Sequence, residues 1–447
     1  MSRSRTRHVS RAAALLAALS LALTACGSSS SQGGDSGEKV DAAAVESALQ
    51  AGGDLTVWAW EPTLKKVVSD FQAKYPKVHV KLVNAGTGND QYTALQNAIK
   101  AGSGVPDLAQ VEYYALPQFA LGKSLTDLNR FGAGSLKSSF TTGPWTGVTS
   151  GDALYGLPMD SGPMALFYNK TIFDKYDVAV PTTWEQYLEA ARKIHKADPK
   201  IYITSDTGDA GFTTSMIWQA GGKPFQVQGT SVKVDLADSG TARFTQLWQK
   251  LIDEKLLSPI TGWSDEWYKG LGDGSLATLV TGAWMPANFS GAATAASGQW
   301  RVAPMPQWTA GGTATAENGG SSLTVPAASR KATLAYGFLR YATADAGATT
   351  RVEQGAFPAT TADLTSESFL NKSFPYFGGQ QVNKVLSEAA TQVVSGWSYL
   401  PFQVYANNIY KDTVGKAYTG ASTLSKALVA WQDACKEYGS TQGFTLQ

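Results

Sequence analysis

Carboxylates stand beside aromatic rings at several places where an apolar run of this sequence gives way to a turn. Trp60 and Glu61 close "LTVWAW", Asp90 follows Gly86 and Gly88, and Glu112 with Tyr113 follows "LAQV". Farther on, Asp160 lies between Pro and Gly residues, and Asp209 with Phe212 precedes "MIWQAGG". Trp218, Trp263, Trp284 and Phe357 add rings, and Gln403 and Asn407 add amides. Carboxylates accept strong charge-assisted hydrogen bonds, and aromatic faces cover C–H surface. Together they suit a neutral ring with apolar faces and a rim of hydroxyls. In a closed cleft, leaving one such bond unmade costs about 1 to 3 kcal/mol. A second chemistry uses the same residue types: two carboxylates about 5 to 9.5 Å apart, such as Glu61 and Glu112, can serve as acid and base on a glycosidic bond. A third reading is a lectin that holds its ligand and never passes it on. Each residue also has a structural alternative. Trp60 is then a half-buried core ring, Asp90 a helix cap, Glu112 a solvated carboxylate, and Trp218 and Trp263 packing of the core.

The elements that must place these residues follow a βαβαβ rhythm. "DLTVWAW" alternates like a strand, and "PTLKKVVSDFQAKY" has Leu64, Val67, Val68 and Phe71 at helical spacing. "KVHVKLV", "NDQYTALQNAIKAG" closed by Gly102, and "PDLAQV" continue as strand, helix and strand. Such a pattern predicts a parallel sheet whose ligands bind at the carboxyl ends of the strands, so the turns at Trp60, Gly86 to Asp90 and Glu112 should open on one crevice. "YGLPMDSGPMALFYNK" interrupts the rhythm around Asp160, and "ENGGSSLTVP" is a second Gly-rich interruption. Between them, Thr183 and Gln186 form a capping box before a helix that carries Trp184 on its apolar face, and Trp284 follows the strand-like "GSLATLVTGAW".

Composition excludes several classes. The first 25 residues carry four Arg and no acid, so the remainder sets 33 basic against 36 acidic residues, a balance that argues against nucleic acid or another polyanion. Seven Arg lie beyond Cys26, mostly single, and do not form a clamp for phosphate. His79 and His195 have no partner at a metal-ligand or triad spacing, so no metal, cofactor or catalytic residue is expected. The 13 Trp, 18 Tyr and 17 Phe need a large core, a stacking surface, or both.

At the start, Arg3, Arg5, Arg7 and Arg11 precede an apolar run from Ala12 to Leu23, which reads as a signal peptide over 1–25. "LTAC" resembles the bacterial lipobox, with Cys26 lipidated and Cys435 left as a single buried thiol. Residues 26–53 are expected to form a flexible tether with a reach of roughly 30 Å.

With these pieces in order ("LTVWAWEP", "VPDLAQV", "LFYNKTIFDKY", "PTTWEQYLEAARKI", "MIWQAGG", "DGSLATLVTGAW", "ENGGSSLTVP" and "EQGAFPATTADL"), the chain resembles the extracellular solute-binding lipoproteins of ABC sugar importers, the branch that includes the maltose-binding protein. The resemblance implies an α/β, two-lobed periplasmic-binding-protein fold of type II, each lobe a mainly parallel sheet flanked by helices, with the ligand cleft between them. It places one lobe at 54–160 and 321–364 and the other at 163–317 and 365–447. It implies a di- or oligosaccharide ligand, an ABC permease as partner, a lipid anchor on the outer face of the membrane, and a monomer. Its binding positions carry over to Trp60, Glu61, Glu112, Tyr113, Asp209, Phe212 and Trp284. Crossings are expected at Asp160 to Pro163, at Asn318 to Ser321 with Gly320 among them, and beyond Phe357. Gln403 and Asn407 stand where the maltose-binding type has an aromatic.

Overall fold

The computed structural model describes residues 39–447; Cys26, the signal-like run and the Ser/Gly stretch to residue 38 lie outside the described residues. The strands that carry the architecture are β1 (Gly53–Trp58), β2 (Val78–Val83), β3 (Leu108–Glu112), β4 (Leu157–Pro158), β5 (Met164–Asn169), β6 (Thr278–Gly282), β7 (Trp300–Ala303) and β8 (Ser321–Thr324).

The first sheet has the order β2-β1-β3-β8-β4. β1 runs parallel to β2 and β3, as the βαβαβ rhythm requires, and β8 returns antiparallel to both β3 and β4. The helices Leu64–Lys74 and Asn89–Ala101 make the crossovers, and Gly102 ends the second of them in the left-handed conformation (φ 63°). One core cluster, from Leu55 and Phe71 through Val111 to Leu323 and Phe338, fills this lobe.

In the second lobe β5 is central, with β6 and β7 on either side, both antiparallel to it. A mainly parallel sheet is the expectation for this lobe, and the structure corrects it. β5 departs from the first crossing at Met164, whereas β6 and β7 end beside it, with Gly282 opposite Met164 and Ala303 opposite Leu166. Strands that leave and return at one place must oppose each other. Parallel pairing there is confined to short pairs such as Thr204–Ser205 with Leu257–Ser258. Helix Trp184–Ala197 starts with the anticipated Thr183/Gln186 capping box, and Trp184 is buried in the core of this lobe.

The tether expectation is also corrected. Residues 42–51 form a helix capped by Asp41, and Val45 and Leu49 are buried in the first core cluster beside Leu334 and Phe338. Alanine-rich sequence favours helix, and two apolar residues one turn apart are enough to dock it. Phe357 and Leu364 also pack in the second lobe, although Ala359 between them belongs to the first.

Candidate functional site

A cavity of ≈ 260 Å³ opens in the second lobe against the crossings. Its floor is the turn Asp206–Asp209, which leads into helix Ala210–Gln219. Asp209 caps that helix: its Oδ1 accepts from the Phe212 N–H (3.0 Å), and Oδ2 meets only the Trp263 indole N–H, at a long 3.5 Å. One carboxylate oxygen therefore faces the cavity with acceptor capacity to spare. Phe212 lies against Trp248, ring centroids 5.1 Å apart, and both line the wall. Trp263 is 48% exposed at the mouth, tilted on Trp267 (4.8 Å) and Trp284 (5.5 Å). Its φ of 69° is left-handed, a conformation that is uncommon for a bulky residue and costs about 1 to 2 kcal/mol. Asn318, from the second crossing, Asn407 and Lys411 add to the polar lining, while the Trp284 indole donates to the Asn318 carbonyl (2.8 Å).

Facing the crossings from the first lobe, the Glu112 carboxylate accepts from the Tyr92 hydroxyl (2.9 Å), and that hydroxyl oxygen in turn accepts from the Glu112 backbone N–H (3.0 Å). Burial pushes the Glu112 carboxyl up to about 7, and the Tyr92 and Tyr114 hydroxyls offset only part of that rise. Trp60 meets Tyr92 edge-on (6.3 Å), so Trp60, Tyr92, Tyr114 and Glu112 form one polar and aromatic group at the strand ends. Asp90 is exposed. Its neighbour Asn89 donates to Asn408 Oδ1 (2.9 Å), a hydrogen bond that joins the lobes.

Other residues singled out from the sequence serve the crossings or the core instead of the cavity. The Glu61 carboxylate is engaged by the Thr63 hydroxyl and by the buried guanidinium of Arg351 (3.4 Å), so its charge is already paired. Asp160 Oδ1 accepts from the Ser321 N–H (2.6 Å), and burial raises its carboxyl to about 6. The Tyr113 hydroxyl donates to the Asp160 carbonyl (2.6 Å), and its ring packs on Gly320. Trp218 is buried and stacked on Trp397 (4.4 Å), and Phe357 lies edge-on to Phe369 in the core. Gln403 is buried and donates to Asn407 Oδ1 (2.9 Å), which steadies the one amide of that pair that reaches the cavity.

Sequence reasoning missed Asp206 and Trp248, gave Asn318 a place in a crossing and no role in the site, and gave no role to its neighbour Glu317. Glu317 is fully buried, accepts from Ser161 (3.1 Å) and the Gly162 N–H (2.5 Å), and is raised by burial to about 7. Tyr399 was missed as well; it packs against the cores of both lobes. The available signals were "SDTGDAGF", where two acids flank a glycine, and the acid that opens "ENGGSSLTVP".

Residues 58–349 match the family described as bacterial extracellular solute-binding protein. The chain is 28% identical over 301 residues to the arabinooligosaccharide-binding protein of Bacillus subtilis (strain 168), covering 65% of this chain and 69% of that protein. Among solved structures, an ABC-transporter-associated binding protein from B. animalis subsp. lactis Bl-04, in complex with β-1,6-galactobiose, is 48% identical with a TM-score of 0.81, covering 88% of this chain and 99% of that one. The galacto-N-biose-/lacto-N-biose I-binding protein of Bifidobacterium longum, in complex with lacto-N-biose, is 27% identical with a TM-score of 0.78, covering 89% and 99%.

Proposed function

The chain belongs to the bacterial extracellular solute-binding proteins, and from that premise we propose that it captures a short neutral saccharide between its lobes and delivers it to the membrane-spanning subunits of an ABC importer. It is a binding protein and not an enzyme. The observation that carries the saccharide reading is one cavity holding both an Asp209 oxygen with acceptor capacity to spare and the exposed face of Trp263. The ring covers a sugar's C–H face, and the carboxylate takes a hydroxyl proton at its rim. At ≈ 260 Å³ the cavity is near the small end of ligand pockets, about 300 to 1,000 Å³, which favours a disaccharide over a long oligomer. Glu112, and the half-buried Trp60 that meets its partner Tyr92, would supply the acceptor and ring of the other lobe. The relative at 48% identity was solved with β-1,6-galactobiose, which makes that disaccharide the first ligand to try.

The lobes are residues 54–160 with most of 321–364, and 163–317 with 365–447; helix 42–51 joins the first, and Phe357 and Leu364 join the second. Lipidation of Cys26 would hold the protein, as a monomer, at the outer face of the membrane. No helix among the described residues is long and apolar enough to cross a membrane.

The test is a calorimetric titration with β-1,6-galactobiose, lactose and arabino-oligosaccharide, followed by chromatography of the sugar after hours of incubation. The expected result is saturable binding with the sugar recovered intact. At 100 times its dissociation constant the ligand should stabilise the protein by about 2.7 kcal/mol. No saturable response to any of the three overturns the saccharide reading, and cleavage products overturn the binding role.

A further inference from the structure

Asp206 lines the cavity yet has no acceptor position left for a ligand. Its Oδ1 accepts from the backbone N–H groups of Gly208 (2.9 Å) and Asp209 (3.3 Å), and its Oδ2 accepts from the Trp248 indole (2.8 Å) and the Tyr418 hydroxyl (2.7 Å). An ionised carboxylate offers about four such positions, and all are in use. The donors are of two kinds. Gly208 and Asp209 belong to the turn that presents the Asp209 oxygen with acceptor capacity to spare, and Trp248 is a ring of the cavity wall. A second cavity of ≈ 260 Å³ lies on the other face of this turn and shares Asp206 and Thr207 with the first. The turn is thus a partition between two cavities. With a cavity on each face the turn has fewer dispersion contacts than one packed all round, so its hydrogen bonds carry more of its position.

We propose that Asp206 is the positioning residue of the saccharide site, holding the Asp209 turn and the Trp248 ring in ligand-receiving geometry without touching the ligand. This rests on the saccharide reading of the same cavity. The groups facing Asp206 are Asp209 on its own turn, Tyr187 from helix Trp184–Ala197, and Tyr410 and Tyr418 from the C-terminal segment; Lys411 lines the first cavity and Lys255 the second. Burial raises the Asp206 carboxyl to about 6, and the hydrogen bonds from Tyr418, Gly208 and Trp248 oppose the rise. Protonation therefore places a fifth hydrogen among four donors, and affinity should fall on the acid side.

Tyr418 is the informative position, since it lines only the second cavity. Removing its hydroxyl takes away a bond that favours the ionised carboxylate. With β-1,6-galactobiose as probe, affinity is measured from pH 5 to 8 for the full chain, for Tyr418→Phe and for Asp206→Asn, with melting temperatures beside each. Tyr418→Phe is expected to weaken binding about three- to tenfold, the worth of one hydrogen bond, and to move the acid limb of the affinity profile to higher pH. Asp206→Asn should bind more weakly still and lose the part of the acid limb near pH 6, keeping the part near pH 7 that Glu112 contributes. If Tyr418→Phe matches the wild type in affinity and acid limb, the proposal is wrong. A loss of affinity that only tracks a fall in melting temperature, with the acid limb unmoved, also overturns it, because that is what a purely structural role would give. Failure of the saccharide reading is distinguishable, since the wild-type titration would then be flat and the proposal would fall with it.

Discussion

Trp263→Ala and Trp263→Gly, made as a pair, separate what the ring does from what the backbone beneath it does. The ring is 48% exposed and rests on Trp267 and Trp284. A tryptophan buries about 150 to 250 Å² when enclosed, so about half of that is covered here, and at about 25 cal/mol per Å² both variants should lose about 2 to 3 kcal/mol of stability. The backbone then divides them. At a φ of 69° alanine keeps the left-handed penalty of about 1 to 2 kcal/mol, and glycine escapes it. Glycine's greater chain entropy returns about 0.5 to 1 kcal/mol of that gain, which leaves Trp263→Gly the more stable of the two by about 0.5 to 1 kcal/mol. Binding should not distinguish them. Loss of an aromatic platform weakens ligand binding by about 1 to 3 kcal/mol, roughly fivefold to 150-fold, in both. Denaturant titration reads the first effect and calorimetry with β-1,6-galactobiose the second. If both variants bind as the wild type does, the ring packs its own lobe and is no platform. If alanine is as stable as glycine, the left-handed backbone stores no strain.

Three further outcomes can be checked. Glu112 and Glu317 are raised to about 7, and Asp160 and Asp206 to about 6, each by burial first. Groups raised in the folded state contribute stability that is complete below the ordinary carboxylate range and lost as pH rises through 6 to 7; the unliganded protein should therefore melt higher at pH 5.5 than at pH 8, Glu112→Gln should flatten that slope, and a rise in melting temperature with pH would contradict it. Gly320→Ala puts a Cβ 2.5 Å from the Tyr113 ring at a φ of 93°, and should destabilise by roughly 2 to 4 kcal/mol in denaturant titration. Cys26→Ser should release the protein from the membrane fraction with its sugar affinity unchanged, and continued partition with the membrane would end the lipoprotein reading.

What was legible in the sequence was local. The capping box at Thr183 and Gln186, the closing Gly102 and the burial of Trp184 follow from neighbours a few residues away, and the structure has all three. The strand-end rule also placed Trp60 and Glu112 together at one edge of the first sheet. The direction of β6 and β7 was not legible, because it depends on where the chain re-enters the crossings and not on any alternation within the strands. Trp218, Phe357 and Gln403 carry the residue types a sugar site uses; ring packing against Trp397 and Phe369 assigns the first two elsewhere, and the Leu400 N–H, three residues away, takes the Gln403 oxygen. Asp206 shows the same limit from the other side. Its partners Trp248 and Tyr418 lie 42 and 212 positions away, so no spacing in the sequence could announce the group.

Glu61 and Glu112 end adjacent strands of one sheet and look alike in the sequence, yet they do different work. Glu61 pairs with Arg351, which also donates to the Met159 carbonyl, and the next residue, Asp160, accepts from the Ser321 N–H. That chain of bonds ties the end of β1 to the first two crossings, and it fixes the hinge geometry more than it adds stability, since removing buried charges from water offsets much of their attraction. Among the described residues no cation lies within salt-bridge distance of Glu112, which meets tyrosine hydroxyls instead. It is therefore the carboxylate of the first lobe able to accept from a neutral hydroxyl, as Asp209 is in the second. A ligand that bonds to both can do so fully only when the lobes are together, as the Asn89 to Asn408 hydrogen bond already holds them. Binding energy from two carboxylates so placed would be coupled to keeping the lobes together.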